Sequence, residues 1–313
     1  MRGAWLNLNL NLTSKTMKTP KLNTITTYDN VDDLLETAQA NDGYWWDGER
    51  RGSHKTGDHA LDFRGTRTFD DAVKIATKGW AHRPSTKLAN TVINRLSEAQ
   101  APTYELQYDV AGGAVDMGAF LSGEPECMLS FAPVEAPKSV SIAINVTAAA
   151  MVSKARLQAR GEATYAAVMA LRNSGYIVNL DWIWPTLEDE ETSENRWSCH
   201  HLTLSSSDRP MDEDKLAFWV QHPSALRRFG FALTTAGDRE FQEAIGHYQG
   251  RPCEFLSKES FNRAPETLRE QIRERFDIVV ETLPEYHDEE DISKLAERIM
   301  EEVKEEKDGS WVV

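Results

Sequence analysis

Two hydrophobic periods divide the chain. Apolar residues that recur every three or four positions predict helices, and apolar runs bounded by turn residues predict strands. Residues 24–28 read as a short extended piece leading into a helix at Val31-Asp32-Asp33-Leu34-Leu35. Residues 69–76 read as a helix with Thr68 at its N-cap and Gly79 as its stop, and residues 85–100 as another. The pattern is cleaner in the second half. Residues 139–146 form a strand, residues 153–173 a long helix capped by Ser153 and stopped at Gly175, and residues 176–184 a second strand. That order is a βαβ crossover, which requires the two strands to be parallel neighbours. A further strand is predicted at 197–204, a helix opening near Pro210-Met211-Asp212, and a strand at 276–281. In the terminal helix Ile292, Leu295, Ile299 and Val303 recur at helical spacing. The fold class implied is α/β, an open mixed or mostly parallel sheet with flanking helices.

Punctuation separates these elements. Residues 41–69 are rich in glycine, basic and aromatic side chains and read as loop or irregular hairpin. Between Tyr104 and Phe131 the glycines at 112, 113, 118 and 123 and Pro125 argue against regular structure, and residues 132–138, with Pro133 and Pro137, read as a linker. The resulting division is a disordered leader (1–19), a basic and aromatic α+β region (20–131), an α/β domain (139–287) and an acidic helix and tail (288–313).

Composition narrows the classes. The 313 residues are 40% apolar and 27% charged, with mean hydropathy −0.53. No run of 18 apolar residues occurs, so no membrane span is expected, and the first 19 residues lack the continuous apolar core of a signal peptide. Three widely spaced cysteines indicate a reducing compartment rather than a disulfide framework.

A net charge of −15 argues against a simple DNA coat, yet the charge is uneven. Between Arg50 and Arg95 there are 10 Lys/Arg against 4 acids, a net of +6; from Glu281 to Asp308 there are 12 acids against 4 Lys/Arg, a net of −8. The basic stretch interleaves rings with cations: Tyr44, Trp45, Trp46, Arg50, Arg51 and Lys55, then Arg64, Arg67, Lys78, Trp80, Arg83 and Lys87. Single-stranded nucleic acid is held by cations along its phosphates and by aromatic faces under its bases, so this mixture suits it. A buried core with arginines paired to Asp58, Asp62, Asp70 and Asp71 is the plainer alternative. Arg227 and Arg228 form a second basic patch, suited to phosphate or to capping and pairing within the fold. The chain closes on Trp311-Val312-Val313, an apolar tip after an acidic run, as expected of a tail that competes with DNA and hooks partner proteins; a solvated helix with a frayed end is the alternative.

Metal and catalytic signals are thin. In a strand His200 and His201 face opposite ways, so at most one joins Cys199, and no second Cys/His cluster completes a tetrahedral set. Residues 145–149 occupy the position where von Willebrand A-type domains place an Asp-x-Ser-x-Ser metal site, but Asn145 and Ala149 replace the Asp and the last Ser, so the likeness is to the sheet alone. Asp109, Asp116, Glu124 and Glu126 suit a metal-dependent nuclease or an ordinary polar loop. No catalytic residue, metal or cofactor is assigned.

Gly79-Trp80, Asp109-Val110-Ala111-Gly112, Val115-Asp116 and residues 122–128, with His222-Pro223 and Leu226-Arg227-Arg228-Phe229, resemble a family of phage and mobile-element proteins. Size, acidic tail and lack of catalytic motifs also resemble the Drc-type single-stranded-DNA-binding transcription cofactors of schitoviruses. That resemblance implies a non-enzymatic protein of the infected bacterial cytoplasm that binds single-stranded DNA, recruits a phage RNA polymerase to promoters and takes part in replication alongside replication proteins. A protein-interaction module with an A-domain-like sheet and a nuclease are the rivals; whether the chain forms a homo-oligomer is open.

Overall fold

A computed structural model describes residues 18–40, 55–80, 104–133, 138–188, 196–246, 251–255, 263–282, 289–304 and 310–312. It opens with strand β1 (Ile25–Tyr28) and three helices, α1 (Val31–Gln39), α2 (Asp58–Arg64) and α3 (Phe69–Lys78). A small unit follows, made of β2 (Tyr104–Asp109), β3 (Ala114–Val115), the short helix α4 (Met117–Leu121) and β4 (Met128–Pro133). The body continues through β5 (Ser139–Asn145), α5 (Lys154–Asn173), β6 (Ile177–Leu187), β7 (Trp197–Ser205), α6 (Glu213–Gln221) and a π-helical turn at Ala225–Gly230. It ends with β8 (Arg251–Pro252), α7 (Glu266–Arg273), β9 (Ile278–Val280), α8 (Glu289–Lys304) and β10 (Ser310–Val312).

The chain is an α/β protein. Its main sheet has the order β1-β7-β6-β5-β9-β10, with β8 added to β6. The expected crossover is present: β5 and β6 are parallel neighbours, Ser139 opposite Ile177 and Asn145 opposite Ile183, and α5 joins them. β7 runs antiparallel to β6, which makes the sheet mixed, while β1 is parallel to β7. Among the described residues no helix is long and apolar enough to cross a membrane.

Local chemistry sets the helix starts. Thr68 and Asp71 make a reciprocal capping box on α3, the Thr68 hydroxyl accepting from the Asp71 amide at 3.0 Å while the Thr68 amide donates to Asp71 at 3.2 Å. Ser153 caps α5 through the Arg156 amide at 3.2 Å. From Ala163 to Leu171 helix α5 is buried almost all round because it lies between the sheet, α6 and α8. At Gly161 a Cβ would sit 2.4 Å from the Val220 carbonyl oxygen, so only glycine lets α5 and α6 approach this closely. On the opposite face of the sheet a second cluster joins Ala143, Ile183, Leu268 and Phe276 under α7.

The N-terminal elements share the main core: β1 is part of the main sheet, and Leu34, Phe69 and Ala72 pack into the same cluster as α5. Three expectations change. Residues 58–64, expected as loop, are a helix. The stretch from Tyr104 to Phe131, expected to lack regular structure, holds an antiparallel sheet of order β2-β4-β3, whose last strand runs on to Pro133 in the expected linker. Gly112 permits the close approach to β4: a Cβ on it would lie 2.4 Å from the Leu129 carbonyl oxygen. Lastly, the acidic tail is largely a docked helix. Leu295, Ala296, Ile299, Met300 and Val303 of α8 are buried, and Trp311 and Val312 pair with Val279 and Val280 as an edge strand rather than forming a free tip. The predicted helix at 85–100 lies outside the described residues, as does Val313.

Candidate functional site

Parallel strands deliver their loops to one edge, and in open α/β sheets that edge is the usual place for a site. Here the end of β5 and the residues after β9 build a closed polar cluster. Asn145, Thr147, Arg160, Glu281 and Thr282 are all buried. The Asn145 amide donates to the Cys253 carbonyl at 2.8 Å and to the Glu281 carboxylate at 2.9 Å, while its oxygen accepts from the Thr147 hydroxyl at 2.7 Å. Glu281 also accepts from the Phe255 amide at 2.6 Å and the Thr282 amide at 2.7 Å. Arg160 reaches in from α5 and donates to the Asn145 carbonyl at 3.0 Å, with the Thr147 and Glu281 carbonyls at 3.5 Å.

Burial pulls the Arg160 guanidinium down to about 10, an effect the nearby Glu281 charge opposes, so it stays cationic at neutral pH. A guanidinium therefore sits among the carbonyls at the strand end where an A-type domain would direct a divalent ion. The Asn145 and Glu281 oxygens are already engaged by protein donors. The cluster ties β5, α5, β9 and residues 253–255 together. Among the described residues no group of three or more His, Cys, Asp or Glu is arranged to hold a metal ion.

The residues expected to contact DNA are scattered. Tyr44, Trp45, Trp46, Arg50, Arg51, Arg83 and Lys87 lie outside the described residues. Lys55 and Lys78 are exposed, and Arg67 is exposed but paired with Asp58 at 3.2 Å. Trp80 is half-buried, its ring edge-on to His222 at 4.7 Å. Arg64, Arg227 and Arg228 are buried, so phosphate cannot reach them.

Arg227 and Arg228 instead clamp the segment around α2. Arg227 donates to the Phe63 carbonyl at 2.9 Å and to the Val152 carbonyl, and lies 3.9 Å from the centre of the Phe63 ring. Arg228 donates to the carbonyls of Lys55 at 2.7 Å and Thr66 at 2.8 Å, and to the Thr66 hydroxyl at 3.2 Å. Burial lowers both to about 10. Pairing within the fold is what this patch does, through backbone carbonyls, the Thr66 hydroxyl and the Phe63 ring.

The small sheet presents the opposite case, an apolar surface in solvent. Leu106 pairs with Phe131 and Tyr108 with Leu129, which also pairs with Ala114. Directly opposed residues share a face, so these five lie together, while Gln107, Asp109, Val115, Met128 and Ser130 lie on the reverse. Leu106 is 56%, Tyr108 51% and Phe131 75% exposed. Eight of the nine exposed large hydrophobics among the described residues belong to this unit, and none of its described residues is fully buried.

Asp116, which sequence alone offered as a metal ligand, organises the unit. Its carboxylate accepts from the Tyr108 hydroxyl at 2.7 Å and from the Gly118 and Ala119 amides at 2.8 and 3.1 Å, capping α4. Those bonds, Tyr108's foremost, hold it below the usual carboxylate range. The alternation Tyr104-Glu105-Leu106-Gln107-Tyr108-Asp109 was the available signal for this face, masked by the glycines beside it.

The family described as "Domain of unknown function (DUF7192)" matches residues 15–307. No curated protein and no solved structure matches the chain.

Proposed function

The chain belongs to the DUF7192 family, and we propose that it is a protein-docking module whose working surface is the exposed face of the β2-β4-β3 sheet. One observation carries this reading: Leu106, Tyr108 and Phe131 stand in solvent side by side on one face. Contiguous apolar patches beyond a few hundred Å² are uncommon on monomeric proteins and mark interaction sites. A three-stranded sheet also gains stability from a packed hydrophobic face, so a partner that covers this one stabilises the unit as it binds. The α/β body, locked at its strand ends by Arg160, serves as the rigid support.

The test is co-purification of the tagged protein from cells that naturally make it, wild type against Leu106→Asp/Phe131→Asp. The variant is expected to lose a stoichiometric companion while the body keeps its melting temperature. The same companion on both proteins would overturn the proposal.

A second reading keeps the expectation of a non-enzymatic single-stranded-DNA-binding cofactor that recruits a phage polymerase in the infected cytoplasm. The +6 segment between Arg50 and Arg95 supports it. In that reading Trp45→Ala/Arg50→Ala weakens binding of a labelled oligonucleotide, with a negative slope against salt. The docking reading expects no such binding.

A further inference from the structure

Resting on the docking reading above, we propose that the occupant of the small-sheet face is a cationic amphipathic segment of another protein, with apolar side chains on one side and Lys or Arg flanking them. The chemistry of the unit selects it. From Tyr104 to Pro133 the chain carries five acids (Glu105, Asp109, Asp116, Glu124 and Glu126) and no Lys or Arg, a net of −5. Asp109, Glu124 and Glu126 are exposed. The bonds from Tyr108 and the α4 amides hold Asp116 in its ionised form.

Apolar area without charge would accept many partners; apolar area on a unit with five acids and no Lys or Arg rejects most of them. A second copy of this chain would bring two such units of the same sign together. Nucleic acid and anionic lipid surfaces are repelled for the same reason. What remains complementary is a segment of opposite charge that supplies its own apolar side chains. Exposed ion pairs are individually weak, so the carboxylates choose and steer the partner while Leu106, Tyr108 and Phe131 hold it. Among the described residues β2 is an edge strand of this sheet, the kind of edge to which an extended segment can add.

Fluorescence anisotropy on the full chain tests this with three labelled peptides, one alternating Leu and Lys, one Leu and Glu, and one Ser and Lys. The Leu/Lys peptide is expected to bind at least about tenfold more tightly than either of the others, and less tightly as salt rises. Neutralising the unit's exposed carboxylates with Asp109→Asn/Glu124→Gln/Glu126→Gln should shrink its preference over Leu/Glu to about threefold or less. Leu106→Asp/Phe131→Asp should abolish binding even though it adds negative charge. Because the charge variant touches only exposed side chains, it reports on the proposal even if the face variant disturbs the small sheet.

Equal binding of the Leu/Lys and Leu/Glu peptides would overturn the charge selection and leave the docking reading standing. Ser/Lys binding as tightly as Leu/Lys would overturn it too, showing ion exchange alone. Sedimentation of a dimer that Phe131→Asp dissolves would assign the face to a second copy instead. Identical behaviour of wild type and both variants towards every peptide would remove the docking reading itself.

Discussion

A guanidinium with almost no access to water must find acceptors inside the protein, and Arg160 finds them in three carbonyls at the strand ends. Replacing it by Met should lower unfolding free energy by about 3 kcal/mol or more, because the buried carbonyls of Asn145, Thr147 and Glu281 lose their donor and the Glu281 carboxylate loses a nearby positive charge. Urea unfolding of Arg160→Met measures this, and a loss below about 1 kcal/mol would show the cluster to be decorative. Histidine makes a pH-dependent case. Burial holds His200 and His222 neutral down to about pH 3, with Lys154 adding to the effect at His222, whereas in an unfolded chain each titrates near 6.5. Below 6.5 the unfolded state takes up protons that the native state refuses. Stability is therefore full above 6.5 and falls as pH drops towards 3, by up to about 1.4 kcal/mol per pH unit for each ring. Urea midpoints at pH 7.5, 6.0 and 5.0 should show the decline, and a flat profile would mean that water reaches the rings. None of this was legible in the residue names. Arg227 and Arg228 look alike on a DNA groove and in a core, and only the carbonyls of residues 55–66 and 152 around them separate the two.

Helices and strands were the most legible level. The βαβ unit, the caps at Thr68 and Ser153 and the apolar stripe of the last helix follow from spacing, because periodicity reports which side of an element is buried. The small sheet was illegible for a physical reason. Gly112 serves close strand approach, while glycine clusters serve loops just as well. At Gly161 the same residue type has a tertiary purpose. Gly161→Val should destabilise the fold by about 2 kcal/mol or more, since the new side chain meets the backbone of Val220 and Gln221, which cannot turn aside. Thermal melts of that variant beside Ala159→Val, on the same helix, make the check. Equal shifts would mean that the α5–α6 contact is looser than the geometry states.

For the whole molecule, the C-terminal segment belongs to the fold. Deleting residues 301–313 removes Val303 from the cluster under α8 and strand β10 from the sheet edge, and should lower unfolding free energy by about 2 kcal/mol. An unchanged urea midpoint would return the segment to the role of a free tail. Sequence expected acid to compete with DNA; the structure has the apolar side of that same helix packed against the body. The amino-acid sequence by itself determined the α/β class, the parallel β5–β6 pair and its crossover helix, since these depend on local periodicity and on the handedness of the chain. Tertiary structure alone decided that β1 joins the far side of the main sheet, that Arg160 fills the strand-end position, and that Leu106, Tyr108 and Phe131 face solvent while Arg64, Arg227 and Arg228 do not. Burial depends on what the rest of the chain brings alongside a residue, and no window of neighbouring positions contains that information.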